Sequence, residues 1–179
     1  SEAMDMYEKS LRIKVKMLGS EHPDVAMTYG NIGLIHVELG DNEKALEFHQ
    51  RDLNIKLKVF GRDHLLAATT QDNIGIVLRQ QGKFPAALEM HQKALKTRLA
   101  VFGPDHLDTA TTQNSIGVVL KSQGKYSLAL EMYGKCLKTR EKVLGHNHLE
   151  TATTYCNIGC VYKSIGEYEK ALEYFNKDM

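Results

Sequence analysis

A histidine recurs at positions 22, 64, 106 and 148, each 42 residues after the one before. No other feature limits the fold as strongly, because a fixed period of this length marks a chain assembled from stacked copies of one supersecondary unit. The register extends well beyond histidine. Gly19, Gly61, Gly103 and Gly145 keep it, as do Gly33, Gly75, Gly117 and Gly159, and again Gly40, Gly82, Gly124 and Gly166. The pairs Ala45-Leu46, Ala87-Leu88, Ala129-Leu130 and Ala171-Leu172 follow the same step, and so do Leu11, Leu53, Leu95 and Leu137. Aligned without gaps, His64 to Asp105 and His106 to Asn147 are identical at 24 of 42 positions. Internal duplication is the source.

Within one unit the apolar spacing is helical. Ala68, Ile74, Val77 and Leu78 fall on one face, and Ala87, Leu88, His91, Leu95 and Leu99 fall on one face of a second segment. Gly82 can take the left-handed conformation that ends the first segment, and Pro85 suits the opening turn of the second. No alternating run of β-branched residues lies between hairpin turns, so strands are not expected. The spacing predicts first helices near 23–39, 65–81, 107–123 and 149–165, and second helices near 42–60, 84–102, 126–144 and 168–179. Residues 4–18 match a second helix without its first. The expected architecture is all-α, with about nine helices in antiparallel hairpins. It divides into a partial repeat over 1–18, repeats over 22–60, 64–102 and 106–144, and a partial repeat over 148–179. Both ends read as cut from a longer array. A hairpin of about 40 residues buries too little apolar surface to stand alone, so the expectation is one continuous array over 1–179, not separable domains.

Composition excludes several classes. Lys and Arg total 23 against 22 for Asp and Glu, a net charge of +1, which provides no general attraction to nucleic acid or acidic lipid. No apolar run approaches the roughly 20 residues of a membrane span, and the polar start Ser1-Glu2-Ala3-Met4-Asp5 has no signal-peptide pattern. Cys136, Cys156 and Cys160 are an odd number, confined to the last quarter, unlike the even framework of a secreted disulfide scaffold. These observations favour a protein of the cytoplasm with no nucleic-acid or membrane partner.

At Asn73-Ile74-Gly75, Leu78, Gly82, Phe84, Ala87, His91, Ala94 and Leu95 the unit resembles the tetratricopeptide repeat (TPR). The fullest version is Asn157-Ile158-Gly159, Tyr162, Gly166, Tyr168, Ala171 and Phe175. The resemblance covers nearly the whole chain and implies a right-handed superhelical solenoid. The 42-residue step, longer than the usual 34, and the Gly-x-x-His before each first helix are similar to the repeats of kinesin light chains. Asp52 where Ala94 stands one unit later, Asn42 in place of Phe84, and Ser115 in place of Asn73 depart from the pattern.

The strictly recurring residues are expected to build the fold. One histidine per repeat forms a column spaced by roughly the ~10 Å between packed elements, too far to share a metal at ~2 Å; a capping or packing role at the helix start is expected instead. The mid-helix glycines Gly33, Gly75, Gly117 and Gly159 cost about 1 kcal/mol each relative to alanine, which points to close approach of the paired helix. The cysteines fit positions held by Asn114, Val118 and Ala94 in sister units, and no fourth zinc ligand is evident. Cations near the ends of the second helices, Lys56 and Lys58, Lys96 and Arg98, and Lys138, Arg140 and Lys142, are read as complements to the helix dipole. No catalytic grouping, metal site or cofactor motif stands out, so the chain is expected not to be an enzyme.

Candidate binding positions are those of the first helices that the core leaves over. In the second unit they are Thr69, Asp72, Asn73, Ile76, Arg79 and Gln80, the side that lines the concave groove in TPR folds. Three rows follow through the repeats. Leu34, Ile76, Val118 and Cys160 form an apolar row, open to a partner's side chains or to contact between adjacent first helices. Asn31, Asn73, Ser115 and Asn157, with Asn114 beside the gap, form an amide row suited to an extended peptide backbone or to bonds within the repeat. Val37, Arg79, Lys121 and Lys163 give a basic row, facing an acidic partner or only solvent. The leading expectation is a protein-interaction scaffold that holds an extended segment with an apolar anchor and acidic residues. The alternatives are head-to-tail self-association and, more remotely, a regulatory domain of a larger enzyme.

Overall fold

A computed structural model describes residues 2–177, with side chains from Met4 onward. Among these residues there are nine α-helices and no strand. The second-helix class comprises α1 (Glu2–Leu18), α3 (Asn42–Phe60), α5 (Phe84–Phe102), α7 (Tyr126–Leu144) and α9 (Tyr168–Asn176). The first-helix class comprises α2 (Pro23–Glu38), α4 (Leu65–Gln80), α6 (Leu107–Ser122) and α8 (Leu149–Ser164). The expected boundaries hold to within a residue or two, except that α9 ends at Asn176 and the expectation to 179 reaches outside the described residues.

The residues form two compact units, one ending at Thr97 and the other beginning at Arg98, with the division inside α5. In the first, α1 packs on α2, α2 on α3 and α3 on α4. Val25, Ala26 and Ile55 make a core cluster there, with Leu11, Val15 and Tyr29 packed against it. In the second, α6 packs on α7, α7 on α8 and α8 on α9, around Ile116, Val119, Tyr133, Ile158 and Val161.

The first helices have chemically defined boundaries. His22, His64, His106 and His148 are N-caps, and their Nδ1 atoms accept the backbone N–H two residues on at 3.1 to 3.2 Å. The imidazole thus takes the place of the usual hydroxyl or carboxylate at one of the N–H groups that a helix start leaves unpaired. At the other end Gly82 has φ +73°, its N–H reaches Arg79 O, and Lys83 N–H reaches Leu78 O. Those two bonds are the Schellman closure, which needs a left-handed residue.

The mid-helix glycines admit an aromatic ring. A Cβ on Gly33 would sit 2.8 Å from the His49 ring, and one on Gly75 2.6 Å from His91. On Gly117 it would meet Tyr133, and on Gly159 Phe175, each at 2.6 Å. Helix propensity is sacrificed so that the ring sixteen residues later can lie on the backbone of the paired helix.

Candidate functional site

The candidate positions lie along the first helices, and none of the ten is buried. In the first unit Leu34 is 44% exposed, Asn31 is exposed, and Asn73, Ile76 and Arg79 are half-buried. In the second unit Asn114, Val118, Lys121 and Asn157 are half-buried and Lys163 is exposed. Arg79, Lys121 and Lys163 fall in the last turns of α4, α6 and α8, where a cation also complements the helix dipole. The amides divide by unit. Asn157 Nδ2 donates to Asn114 Oδ1 at 3.0 Å, a clasp between α8 and α6. The same geometry cannot form from Asn73, because the position of Asn114 is held one repeat pair earlier by Gly30.

Asp72 is a correction to the face assignment. Helical spacing leaves it among the open positions of α4, yet it is buried, with Oδ1 2.7 Å from His91 Nδ1. Helical spacing put it at the edge of the open side, and its buried partner on α5 draws it inward. Leu99, expected on the apolar face of α5, is instead exposed.

The basic residues of the second helices also need correction. Lys56, Arg98 and Arg140 are buried, so the helix dipole is not their main partner. Lys56 Nζ donates to Thr70 Oγ1 at 2.9 Å. Arg98 donates to Asp108 O at 3.0 Å and to Thr112 Oγ1. Arg140 donates to Glu150 O at 2.7 Å and to Thr154 Oγ1 at 2.9 Å, and pairs with the Glu150 carboxylate. Lys14 does the same to Thr28 at 2.9 Å. A cation at 14, 56, 98 and 140 thus joins a threonine at 28, 70, 112 and 154. It fastens the second helix to the next first helix through a hydroxyl near that helix's start, with a backbone carbonyl added for Lys14, Arg98 and Arg140. The shared 42-residue step of both sets was the sequence signal for this bracket.

Two further titratable groups, Cys136 and Tyr155, sit within the packing. Cys136 is buried, its Sγ 3.7 Å from Thr154 Oγ1, and burial pushes the thiol's pKa up. Burial and the Glu141 carboxylate, which accepts from the Tyr155 hydroxyl, push that phenol up to about 12. Among the described residues no group of three or more His, Cys, Asp or Glu could hold a metal ion, and no helix is long and apolar enough to cross a membrane.

The pattern of paired helices and glycine–ring contacts can be compared with known proteins. The sequence profile of the tetratricopeptide repeat matches residues 1–58, 53–100, 66–142 and 123–177. The chain belongs to the tetratricopeptide repeat family. This TPR protein shares its fold with BtubC (BKLC) from P. vanneervenii, at TM-score 0.86 and 24% identity, over 99% of this chain and 70% of that one. A kinesin light chain candidate of Podosopora anserina with nearly identical TPR-like repeats gives TM-score 0.82 and 18% identity, over 99% and 84%. The apo form of RapI gives TM-score 0.80 and 18% identity, over 98% of this chain and 47% of its own length. Among curated proteins no significant sequence match is found. The TPR is generally a non-catalytic interaction scaffold, and the chain carries a protein-interaction repeat module.

Proposed function

We propose that the chain acts in the cytoplasm as a kinesin-light-chain-like scaffold, a single TPR array over 1–179 that binds an extended, partly acidic peptide segment along its first helices. One observation carries this reading. In each unit the first helices present unburied aliphatic residues, Leu34 and Ile76 or Val118, flanked by amides and by Arg79, Lys121 or Lys163. An aliphatic row can accept an apolar anchor, and open amides can pair with a peptide backbone irrespective of its side chains. The cations add attraction for acidic flanks. Asn31 and Asn73 are the amides best suited to this, since Asn114 and Asn157 already bond each other.

The test is a fluorescence titration with peptides that carry a leucine anchor between acidic residues. Arg79→Glu, Lys121→Glu and Lys163→Glu together are expected to weaken binding at least tenfold and to flatten its salt dependence. Unchanged affinity would defeat the basic row. A second reading, self-association, is favoured by one specific feature. Met6, Ile13 and Met17 form an exposed stripe along α1, Met17 being 74% exposed, and such stripes mark contact surfaces. Sedimentation over a hundredfold concentration range separates the readings, because a monomer throughout excludes stacking.

A further inference from the structure

A cavity of about 410 Å³ lies in the first unit, where the end of α3, the loop before α4, and the faces of α4 and α5 meet. Its lining is Leu57, Arg62, Asp63, Gln71, Lys93, Lys96 and Thr97, none of which belongs to the rows on the first helices. Three cations face one carboxylate. Lys93 already pairs with Glu89 at 2.6 Å, whereas Arg62 and Lys96 form no ion pair among the described residues. Gln71 in this lining is only 6% exposed, and its buried amide oxygen has no hydrogen-bond partner among the described residues. Thr97 is buried beside it. A buried, unsatisfied amide is costly, and here it borders a space large enough for a small molecule.

The preceding repeat shows what closes this space. Leu57, Gln71 and Thr97 correspond at the 42-residue step to Val15, Tyr29 and Ile55. Those three pack together in the core cluster with Val25 and Ala26. Replacing a tyrosine ring by an amide and an isoleucine by a threonine removes apolar volume and adds hydrogen-bonding groups. The two changes make the junction polar, and Arg62, Lys93 and Lys96 give it a basic rim; Gln113 and Thr139 repeat the pair one step on, where Pro104 stands in place of Arg62.

We propose that this chamber binds a small molecule bearing a doubly charged oxyanion, a phosphomonoester or a dicarboxylate. Arg62 supplies a planar fork for two oxygens, Lys96 a second charge, and Gln71 with Thr97 hydrogen bonds at the inner end. Asp63 on the rim accepts from hydroxyls of the ligand and disfavours a larger polyanion. The site is independent of the peptide reading, and the two can fail separately.

Calorimetric titration of the full chain with inorganic phosphate, glycerol phosphate and succinate tests the proposal. At least one is expected to bind saturably. If phosphate and glycerol phosphate bind and succinate does not, the ligand is a phosphomonoester; the reverse result assigns a dicarboxylate. Arg62→Gln with Lys96→Gln should lower that affinity at least tenfold. Gln71→Tyr with Thr97→Ile, which copies the packed junction of the preceding repeat, should abolish binding while leaving the melting temperature equal or higher. Lys138→Gln, the equivalent of Lys96 one repeat on, should change nothing. Saturable binding that survives the filled variant overturns the proposal, as does the absence of saturable binding to all three probes.

Discussion

The hairpins α2–α3 and α4–α5 are built on the same plan, yet they place their buried carboxylate on opposite helices. In α4–α5 it is Asp72 on the first helix, 2.7 Å from His91, with Ala94 on the second helix. In α2–α3 the first helix has Gly30 where Asp72 would stand, and the second has Asp52 in place of Ala94. A Cβ on Gly30 would lie 3.0 Å from Asp52 Oδ2, so the glycine makes room for the transferred group. The carboxylate also changes partner. Asp52 accepts from Lys56 Nζ at 2.8 Å and from Thr70 Oγ1 at 2.7 Å, and leaves His49 with neither ring nitrogen hydrogen-bonded among the described residues. A repeat therefore tolerates exchange of a buried charge between helices, provided that the whole polar set rearranges with it.

Breaking the pair should produce the largest effect. Burial pushes the Asp52 carboxyl up, and the bonds from Lys56 and Thr70 oppose that shift. Lys56→Met should cost about 3–5 kcal/mol in urea unfolding, because it leaves a buried carboxylate without its cation. Adding Asp52→Ala restores the residue that α5 carries and should recover most of the loss. If the double variant is no more stable than Lys56→Met, the carboxylate is not the origin of the cost.

Acid should separate the two hairpins next. Burial, and then the Lys56 charge, lowers the His49 pKa to about 4 from 6.5. The unfolded histidine takes up a proton near 6.5 while the folded one refuses it until about 4. Stability is therefore complete above pH 6.5 and is lost as pH falls toward 4, by about 3 kcal/mol at most. His49→Phe, a ring already used at Phe175, should flatten this part of the pH–stability curve. An unchanged slope would assign the acid sensitivity elsewhere.

These hairpins also show how far sequence reasoning reaches. The helices, their caps and the glycine–ring contacts follow from residues that recur at one fixed step, and the all-α TPR fold follows with them. Asp72 was misplaced because helical angle alone does not reveal a partner on another helix. Lys56 was assigned to the dipole for the same reason, although its recurrence with Thr70 was visible. The cavity beside Gln71 has no motif of its own, since it arises from what is missing relative to Tyr29 and Ile55. Periodicity identifies shared structure readily; the exchanged carboxylates Asp52 and Asp72 lie in exceptions to it, which need coordinates to interpret.

The glycine–ring contact provides a finer contrast. Gly75→Ala places a methyl 2.6 Å from a His91 ring that Asp72 holds, and Gly33→Ala places one 2.8 Å from a His49 ring without that restraint. Overpacking costs about 1–3 kcal/mol, against a gain of about 1 kcal/mol in helix propensity. Gly75→Ala should therefore destabilise the chain by about 1–2 kcal/mol more than Gly33→Ala in thermal or urea unfolding. Equal losses would mean that the aspartate does not restrain the ring.

The smallest difference concerns the caps. His22 and His64 both accept a backbone N–H at 3.1 Å, but only His64 follows an aromatic residue, stacking on Phe60 with centroids 4.7 Å apart. The position of Phe60 in the preceding repeat is Leu18, which is exposed. Truncation to alanine removes the cap from both, at about 1 kcal/mol each, and removes the stack from His64 alone. Asparagine keeps a capping oxygen without the ring. His22→Asn should thus be nearly neutral, while His64→Asn should still lose roughly 0.5–1 kcal/mol of aromatic contact. Equal values for the two asparagine variants would show that the imidazole is retained for its nitrogen alone, and that Phe60 contributes nothing through it.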